Sequence, residues 1–190
     1  MANEAAVHEL VEKMTQEREK LLAQIEALSE ENAEQAPADV EGPSGEGQWS
    51  AKEQCAHLAE MEAAYRAWVE RALAEDNPDV AGMRGEPVAI PLEEANRHSI
   101  GELTAQLRRQ REKTLALIER LQPDDYDRTA TQPMFGTLTV LQWLRSYYRH
   151  DRMHQDQIAG REPSYKPRYA TGREPDQRRR PDGGPSGRVQ

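Results

Sequence analysis

Cysteine and phenylalanine are almost absent from this sequence, with one residue of each type in 190. The single cysteine, Cys55, excludes an internal disulfide and every metal site made from a cluster of cysteines. No stretch approaches the roughly 18 apolar residues that a membrane span needs, and acidic residues interrupt the first dozen positions, where a secretory signal would be apolar. We therefore predict a cytoplasmic protein without a membrane segment.

Apolar side chains that build a core are scarce as well. Leucine, isoleucine, valine and phenylalanine together supply 29 of the 190 residues, and the net charge is −9. Such a composition lies near that of disordered chains. Folding is nevertheless favoured, because these residues crowd into four segments and the 24 alanines favour helix over strand. The composition therefore predicts an all-α domain.

Charge is distributed unevenly along the chain. Residues 161–190 carry a net charge of +4, which leaves −13 on residues 1–160. An acidic body does not bind nucleic acid by releasing counterions, so we do not expect a nucleic-acid partner. The segment 163–190 is rich in proline, glycine and arginine. Because such a segment cannot bury a core, it is predicted to be a disordered tail.

Four amphipathic helices are predicted from apolar residues spaced by three and four positions. The first covers residues 7–28. The second and third begin at Ser50 and Ser99, and a glutamate three residues after each serine can complete a capping box. The fourth extends from a Thr137 cap to Gly160. Four such helices predict a four-helix bundle.

Long connections separate these helices, at residues 33–49, 76–98 and 122–136. Because they are rich in proline, glycine and aspartate, we interpret them as loops rather than strands. At roughly 3.3 Å per residue, the middle loop is long enough to span a helix of about 36 Å and to make the second and third helices parallel. Spacing alone leaves the topology open.

Two histidines lie one turn apart on the predicted fourth helix. His150 and His154 are about 40° apart around its axis, so both imidazoles can reach one point. His57 lies at the edge of the apolar face of the second helix and can also turn inward. Three imidazoles with an open fourth position are the ligand set of a catalytic zinc site, and imidazole equally suits nickel or iron.

Spacing leaves two other interpretations of these histidines open. Histidines four residues apart also occur in cores, where they hydrogen-bond to tyrosine hydroxyls or water. The stretch from His150 to His154 approaches the H-E-x-x-H pattern of zinc proteases. However, Asp151 takes the place of the general-base glutamate, and no histidine follows His154.

Two motifs resemble those of the DinB/YfiT superfamily. Residues 47–58, Gly-Gln-Trp-Ser-Ala-Lys-Glu-Gln-Cys-Ala-His-Leu, are similar to its second-helix signature. Residues 135–139, followed by the H-D-x-x-H-x-x-Q-I pattern at 150–158, are similar to its fourth-helix signature. The resemblance covers residues 5–162, the predicted domain, and leaves the tail at 163–190 outside.

This resemblance implies a four-helix bundle in which His57, His150 and His154 bind one divalent metal ion, often within a homodimer. Characterised members of the superfamily include transferases and isomerases that use low-molecular-weight thiols. The resemblance thus implies a metalloenzyme acting on a small-molecule substrate, as a thiol S-transferase or a hydrolase, or else a metal-binding stress-related protein without catalysis. A thiol would be a diffusible cosubstrate, because Cys55 lies across its helix from His57.

The surroundings of the site are predicted from the same helices. Trp143, Tyr147 and Met61 are expected to line a pocket for a small organic substrate. Glu53 and Glu60, one turn to either side of the second-helix histidine, are candidates to accept a hydrogen bond from it or to carry a proton. A metal sphere closed by a protein carboxylate would instead indicate binding without catalysis.

Overall fold

The computed structural model describes residues 4–36 and 45–172. Within these ranges the chain forms α1 (Glu4–Glu26), α2 (Glu30–Glu34), α3 (Ala51–Ala74), α4 (Ile100–Ile118) and α5 (Val140–Ile158). Short 3-10 helices occupy Glu46–Gln48, Leu92–Arg97 and Pro123–Asp127. The four long helices confirm the predicted all-α four-helix bundle with long connections. None of the described helices is long and apolar enough to cross a membrane.

Capping boxes fix where three of the long helices start. At α3, Ser50 Oγ accepts a hydrogen bond from Glu53 N, and a Glu53 carboxylate oxygen accepts one from Ser50 N. Ser99 and Glu102 form the same pair of bonds at α4. Both predicted caps are therefore confirmed. The cap of α5 is Thr139, two residues later than predicted.

A two-stranded hairpin precedes α5, where a loop was expected. Strands β1 (Thr129–Gln132) and β2 (Gly136–Thr139) pair antiparallel, with Thr131 opposite Thr137. The prediction that Thr137 caps the last helix is therefore wrong. Alternating threonines favour a strand, and Gly136 adopts the positive φ of 81° that few other residues tolerate at a turn.

Two apolar clusters show how the long helices run. One joins the first half of α1, the second half of α3, the end of α4 and the first half of α5. The other joins the second half of α1, the first half of α3 and the start of α4. Helices α3 and α4 therefore run parallel to each other, while α1 and α5 run in the opposite direction. This topology needs the long α3–α4 connection.

Each long helix contributes one side chain to a buried charge quartet, formed by Arg18, Glu62, Arg111 and Asp151. Arg18 Nη2 lies 2.6 Å from Glu62 Oε2 and 2.8 Å from Asp151 Oδ1. Arg111 Nε lies 2.8 Å from Glu62 Oε1, and its Nη2 lies 2.9 Å from Asp151 Oδ2. Two guanidinium groups thus balance two carboxylates inside the bundle, so the quartet is paired without any ligand.

Part of the predicted tail lies against the bundle. Tyr169 stacks on Phe135 with 5.7 Å between ring centroids, and Ala170 N donates a hydrogen bond to Met134 O. Composition predicts disorder from residue 163 onward. In the structure, however, residues up to 172 contact the bundle, because tyrosine rings supply apolar area. The rest of the predicted tail, residues 173–190, lies outside the described residues.

Candidate metal centre

Metal-ligating side chains meet between α3, α5 and the 3-10 helix that precedes α3. They form what we name the histidine cluster: Glu46, His57, His150 and His154. All four are buried, and one ligand atom from each lies within 4.8 Å of the others. The structure therefore brings together the three histidines selected from the sequence and adds a carboxylate to them.

Local structure positions each ligand. His57 lies in the second turn of α3, whose start the capping box fixes. His150 and His154 are one turn apart on α5, with 4.6 Å between their ring centroids. Glu46 is the first residue of the 3-10 helix Glu46–Gln48, close to the start of α3. Two long helices and one short turn thus converge on a single point.

A chain of hydrogen bonds orients His154. Gln54 Nε2 donates to the backbone oxygen of Trp49 at 3.0 Å, so the amide oxygen of Gln54 faces the opposite way. That oxygen lies 2.8 Å from His154 Nδ1, which must therefore carry the proton of the neutral ring. The Nε2 lone pair then points into the histidine cluster. Proteins commonly orient metal-binding imidazoles in this manner.

The histidine cluster contains more nitrogen and oxygen atoms at hydrogen-bond distance than there are protons to form hydrogen bonds between them. His150 Nε2 lies 3.0 Å from His154 Nε2 and 3.1 Å from Glu46 Oε2, so one proton cannot satisfy both neighbours. His57 Nε2 lies 3.2 Å from Glu46 Oε1 and makes no hydrogen bond. A buried nitrogen without a partner is costly unless a ligand satisfies it. Three imidazoles and a carboxylate fit a divalent cation such as zinc.

Burial and nearby charges determine the protonation states of His154 and Glu46. Burial lowers the pKa of His154 to about 4, so its ring is neutral near pH 7. Burial alone would raise the pKa of Glu46, but attraction to His57 and the hydrogen bond from His150 outweigh it. The pKa of Glu46 therefore lies well below its usual value. A carboxylate anion beside a neutral imidazole is a suitable pair of ligands for a cation.

Glu46 adds a carboxylate beside the three predicted histidine ligands, where the sequence predicted an open fourth position. Sequence reasoning missed it because it lies in a loop rich in glycine, where no periodic pattern predicts which way a side chain points. Gln54, the hydrogen-bond partner of His154, was also missed. It stands three residues before His57 within the motif quoted above, so the motif itself carried a signal for it.

The two carboxylates selected as helpers for His57 have structural partners. Glu53 closes the capping box of α3. Glu60 Oε1 accepts a hydrogen bond from Leu92 N at 3.0 Å and so ties the α3–α4 connection to α3. Cys55 is fully buried, which raises the pKa of its thiol to about 12. It cannot serve as a nucleophile, in agreement with its predicted position across the helix.

A cavity of about 730 Å³, named here the aromatic cavity, lies along α5 with His150 in its wall. Trp143, one of the predicted pocket residues, lines it. Tyr147 is buried in the apolar core, and Met61 packs half-buried against the same core. Neither of these two is among the residues that line the cavity. Of the three predicted pocket residues, only Trp143 therefore lines the aromatic cavity, which lies toward the hairpin and residues 165–172.

Comparison with known proteins identifies relatives for most of the chain. Residues 13–158 match the family described as the DinB superfamily. No curated protein matches the sequence. All four members of the histidine cluster lie within the matched residues: three histidines on α3 and α5, and Glu46 in the 3-10 helix before α3.

Solved structures share the fold at low identity. YfiT from Bacillus subtilis, described as a probable metal-dependent hydrolase with an unusual four-helix bundle topology, is 16% identical, with a TM-score of 0.64 over 84% of this chain and 87% of that one. An uncharacterised protein from Clostridium difficile 630 is 12% identical, with a TM-score of 0.58 over 84% and 96%. The mycothiol-dependent maleylpyruvate isomerase is 15% identical, with a TM-score of 0.50 over 80% and 60%.

Proposed function

The chain belongs to the DinB superfamily, and from that premise we propose that it is a small-molecule enzyme that uses one divalent metal ion, zinc, nickel or iron, held by the histidine cluster. One observation carries the proposal. The cluster buries His57 Nε2 without a hydrogen bond and aims the His154 lone pair at the same point. The adjoining aromatic cavity gives a small molecule access to His150.

A thiol nucleophile must come from outside the protein. Cys55, the single cysteine, is buried and its raised pKa keeps it protonated. When bound, the metal would lower the pKa of a thiol or of water by several units and stabilise the anion that forms. Glu46 is ionised and lies 3.1 Å from His150 Nε2. We propose that it accepts the released proton and does not bind the metal.

We propose a diffusible low-molecular-weight thiol as this nucleophile. Its thiolate forms a carbon–sulfur bond to a small electrophile, which releases its leaving group as an anion, such as chloride from monochlorobimane. The fold shared with the mycothiol-dependent isomerase supports this choice. Hydrolysis is the second candidate, because YfiT is described as a probable metal-dependent hydrolase and a carboxylate beside a metal suits water activation. In both cases the reaction needs Glu46 as the proton acceptor.

The test incubates metal-loaded protein with monochlorobimane and a panel of cellular thiols, beside His150→Ala. We expect conjugation with at least one thiol and loss of the rate in the variant, because the variant lacks a metal ligand. Equal rates for both proteins with every thiol would refute thiol transfer. Metal-dependent cleavage of esters or amides by the same preparation would support hydrolysis in its place.

Glu46→Gln separates the enzyme from a protein that only binds metal. If Glu46 transfers protons, the variant keeps about one metal ion per chain and loses about 10²-fold or more in rate. If Glu46 instead closes the sphere of a non-catalytic site, the variant loses metal and the wild type shows no turnover. The measurements are metal content and the bimane rate on one preparation.

A further inference from the structure

The aromatic cavity is basic, although the whole chain carries a net charge of −9. Arg149 and Arg168 line it, and no aspartate or glutamate does. Neither arginine forms an ion pair with a carboxylate of residues 4–36 or 45–172. Arg149 instead places its guanidinium 5.8 Å from the Tyr148 ring centre and 5.7 Å from that of Tyr165, and it hydrogen-bonds the Tyr165 side chain. Because its partners are tyrosines and not a carboxylate of the described residues, the positive charge of Arg149 can still attract an anion.

Flat apolar rings form other parts of the wall. Phe135 lies between Trp143 and Tyr169, with centroid distances of 6.0 Å and 5.7 Å. Tyr65, also in the wall, has its ring centre 6.2 Å from that of His150. A volume of about 730 Å³ is within the range of sites for small organic ligands. The wall thus combines surfaces for a flat apolar group with cationic groups.

We propose that the aromatic cavity binds a small molecule with a flat apolar body and one carboxylate, and that Arg149 and Arg168 bind the carboxylate. Arginine suits this role because its planar fork can donate two parallel hydrogen bonds to a carboxylate. The inference deepens the proposed function and rests on it in one respect: it identifies this molecule as the electrophilic substrate. Arg149 directly precedes His150 on α5, so the carboxylate is held beside the metal-binding residues.

Calorimetric titration with 2-naphthoate and 2-naphthamide tests the inference, because the two probes share a ring system and differ in charge. We expect wild-type protein to bind 2-naphthoate about tenfold or more tightly than 2-naphthamide. Arg149→Gln and Arg168→Gln should each reduce this preference severalfold and leave 2-naphthamide binding unchanged. Arg152→Gln is the matched control, since Arg152 is exposed on α5 outside the cavity wall.

The titrations are run on metal-loaded and metal-free protein, with metal content measured in parallel. A preference for 2-naphthoate that depends on the arginines and persists without metal supports the inference, even if metal loading fails and the proposed function falls. The inference is overturned if the two probes bind equally, if Arg152→Gln matches the other variants, or if metal removal alone abolishes the preference. In that last case the carboxylate would bind the metal directly.

Discussion

The charge quartet and the histidine cluster are both groups of four buried ionisable side chains in one bundle, yet they differ in balance. In the quartet, two cations face two anions, and ion pairs of 2.6 to 2.9 Å join every member to two others. In the cluster, the imidazole nitrogens of His150 and His154 lie 3.0 Å apart, and each lies 3.1 to 3.3 Å from the one carboxylate, Glu46. The quartet pairs every charge within itself, whereas the cluster is a set of side chains that could hold a cation.

This difference separates two roles that burial alone does not distinguish. A paired set of buried charges positions helices and loses stability when one partner is removed. An unbalanced set gains stability when a ligand binds it. The quartet also supports the site, because Asp151 directly follows His150 on α5.

Arg111→Met should produce the largest loss of stability. The change leaves Glu62 and Asp151 with one cation between them in the core, and breaking such a pair costs about 3–5 kcal/mol. Urea unfolding followed by circular dichroism measures the loss. Arg109→Met, at an exposed position of the same helix, is the control and should change stability by less than about 0.5 kcal/mol. Equal effects of both substitutions would show that the quartet does not hold the helices together.

Metal should stabilise the folded protein through the histidine cluster alone. Zinc at 100 times its dissociation constant should raise the free energy of unfolding by about 2.7 kcal/mol. His150→Ala should abolish this increment, because it removes one of three imidazole ligands. The measurement is urea unfolding with zinc and with a chelator. An unchanged increment in the variant would place the metal elsewhere.

Gln54→Leu should weaken metal binding without removing a ligand. The variant leaves His154 Nδ1 without its acceptor, and loss of such a partner typically costs 10- to 100-fold in metal affinity, or about 1.4–2.7 kcal/mol. Gln106→Leu is a matched control, because Gln106 is equally buried but hydrogen-bonds the backbone of Ile90. Competition with a zinc indicator measures both affinities. A similar loss in the two variants would mean that Gln54 acts only through stability.

Lowering the pH should weaken the quartet gradually, because it protonates the Glu62 carboxylate. Burial raises the pKa of Glu62, but attraction to Arg111 and Arg18 outweighs burial and lowers it from 4.5. A carboxylate with a lowered folded-state pKa contributes stability above its unfolded pKa and loses it as pH falls through the folded value. Below about pH 4.5, wild-type stability should therefore fall more steeply than that of Glu62→Gln. Parallel slopes in urea unfolding at several pH values would contradict this.

Helical periodicity explains which parts of the site could be predicted. His57, His150 and His154 stand on long amphipathic helices, where position in the sequence determines the direction of the side chain. Arg18 also stood in an apolar stripe, at a place where burial requires a partner. Its partners could not be identified, because they come from three other helices whose packing follows only from the tertiary structure.

The carboxylate and the hairpin that were missed both belong to connections between helices. Glu46 belongs to a connection without periodicity, and its approach to the histidines depends on how that connection crosses the bundle. The hairpin was missed because four-residue strands separated by a short turn resemble a loop in composition. Tyr147 and Met61 were assigned to the pocket from helix faces, but the cavity opens toward Phe135 and Tyr169 instead. The position of a residue on a helix does not predict where the neighbouring loops leave a cavity.

The most direct test is the zinc content of three proteins after saturation and removal of excess metal: wild type, His154→Ala and His98→Ala. His98 lies near the start of α4 outside the histidine cluster, so its replacement controls for nonspecific binding by imidazole. We predict one zinc ion per chain in the wild type and in His98→Ala, and almost none in His154→Ala. Wild-type protein that holds no zinc, or His154→Ala that holds a full equivalent, would contradict the claim that the cluster binds a cation.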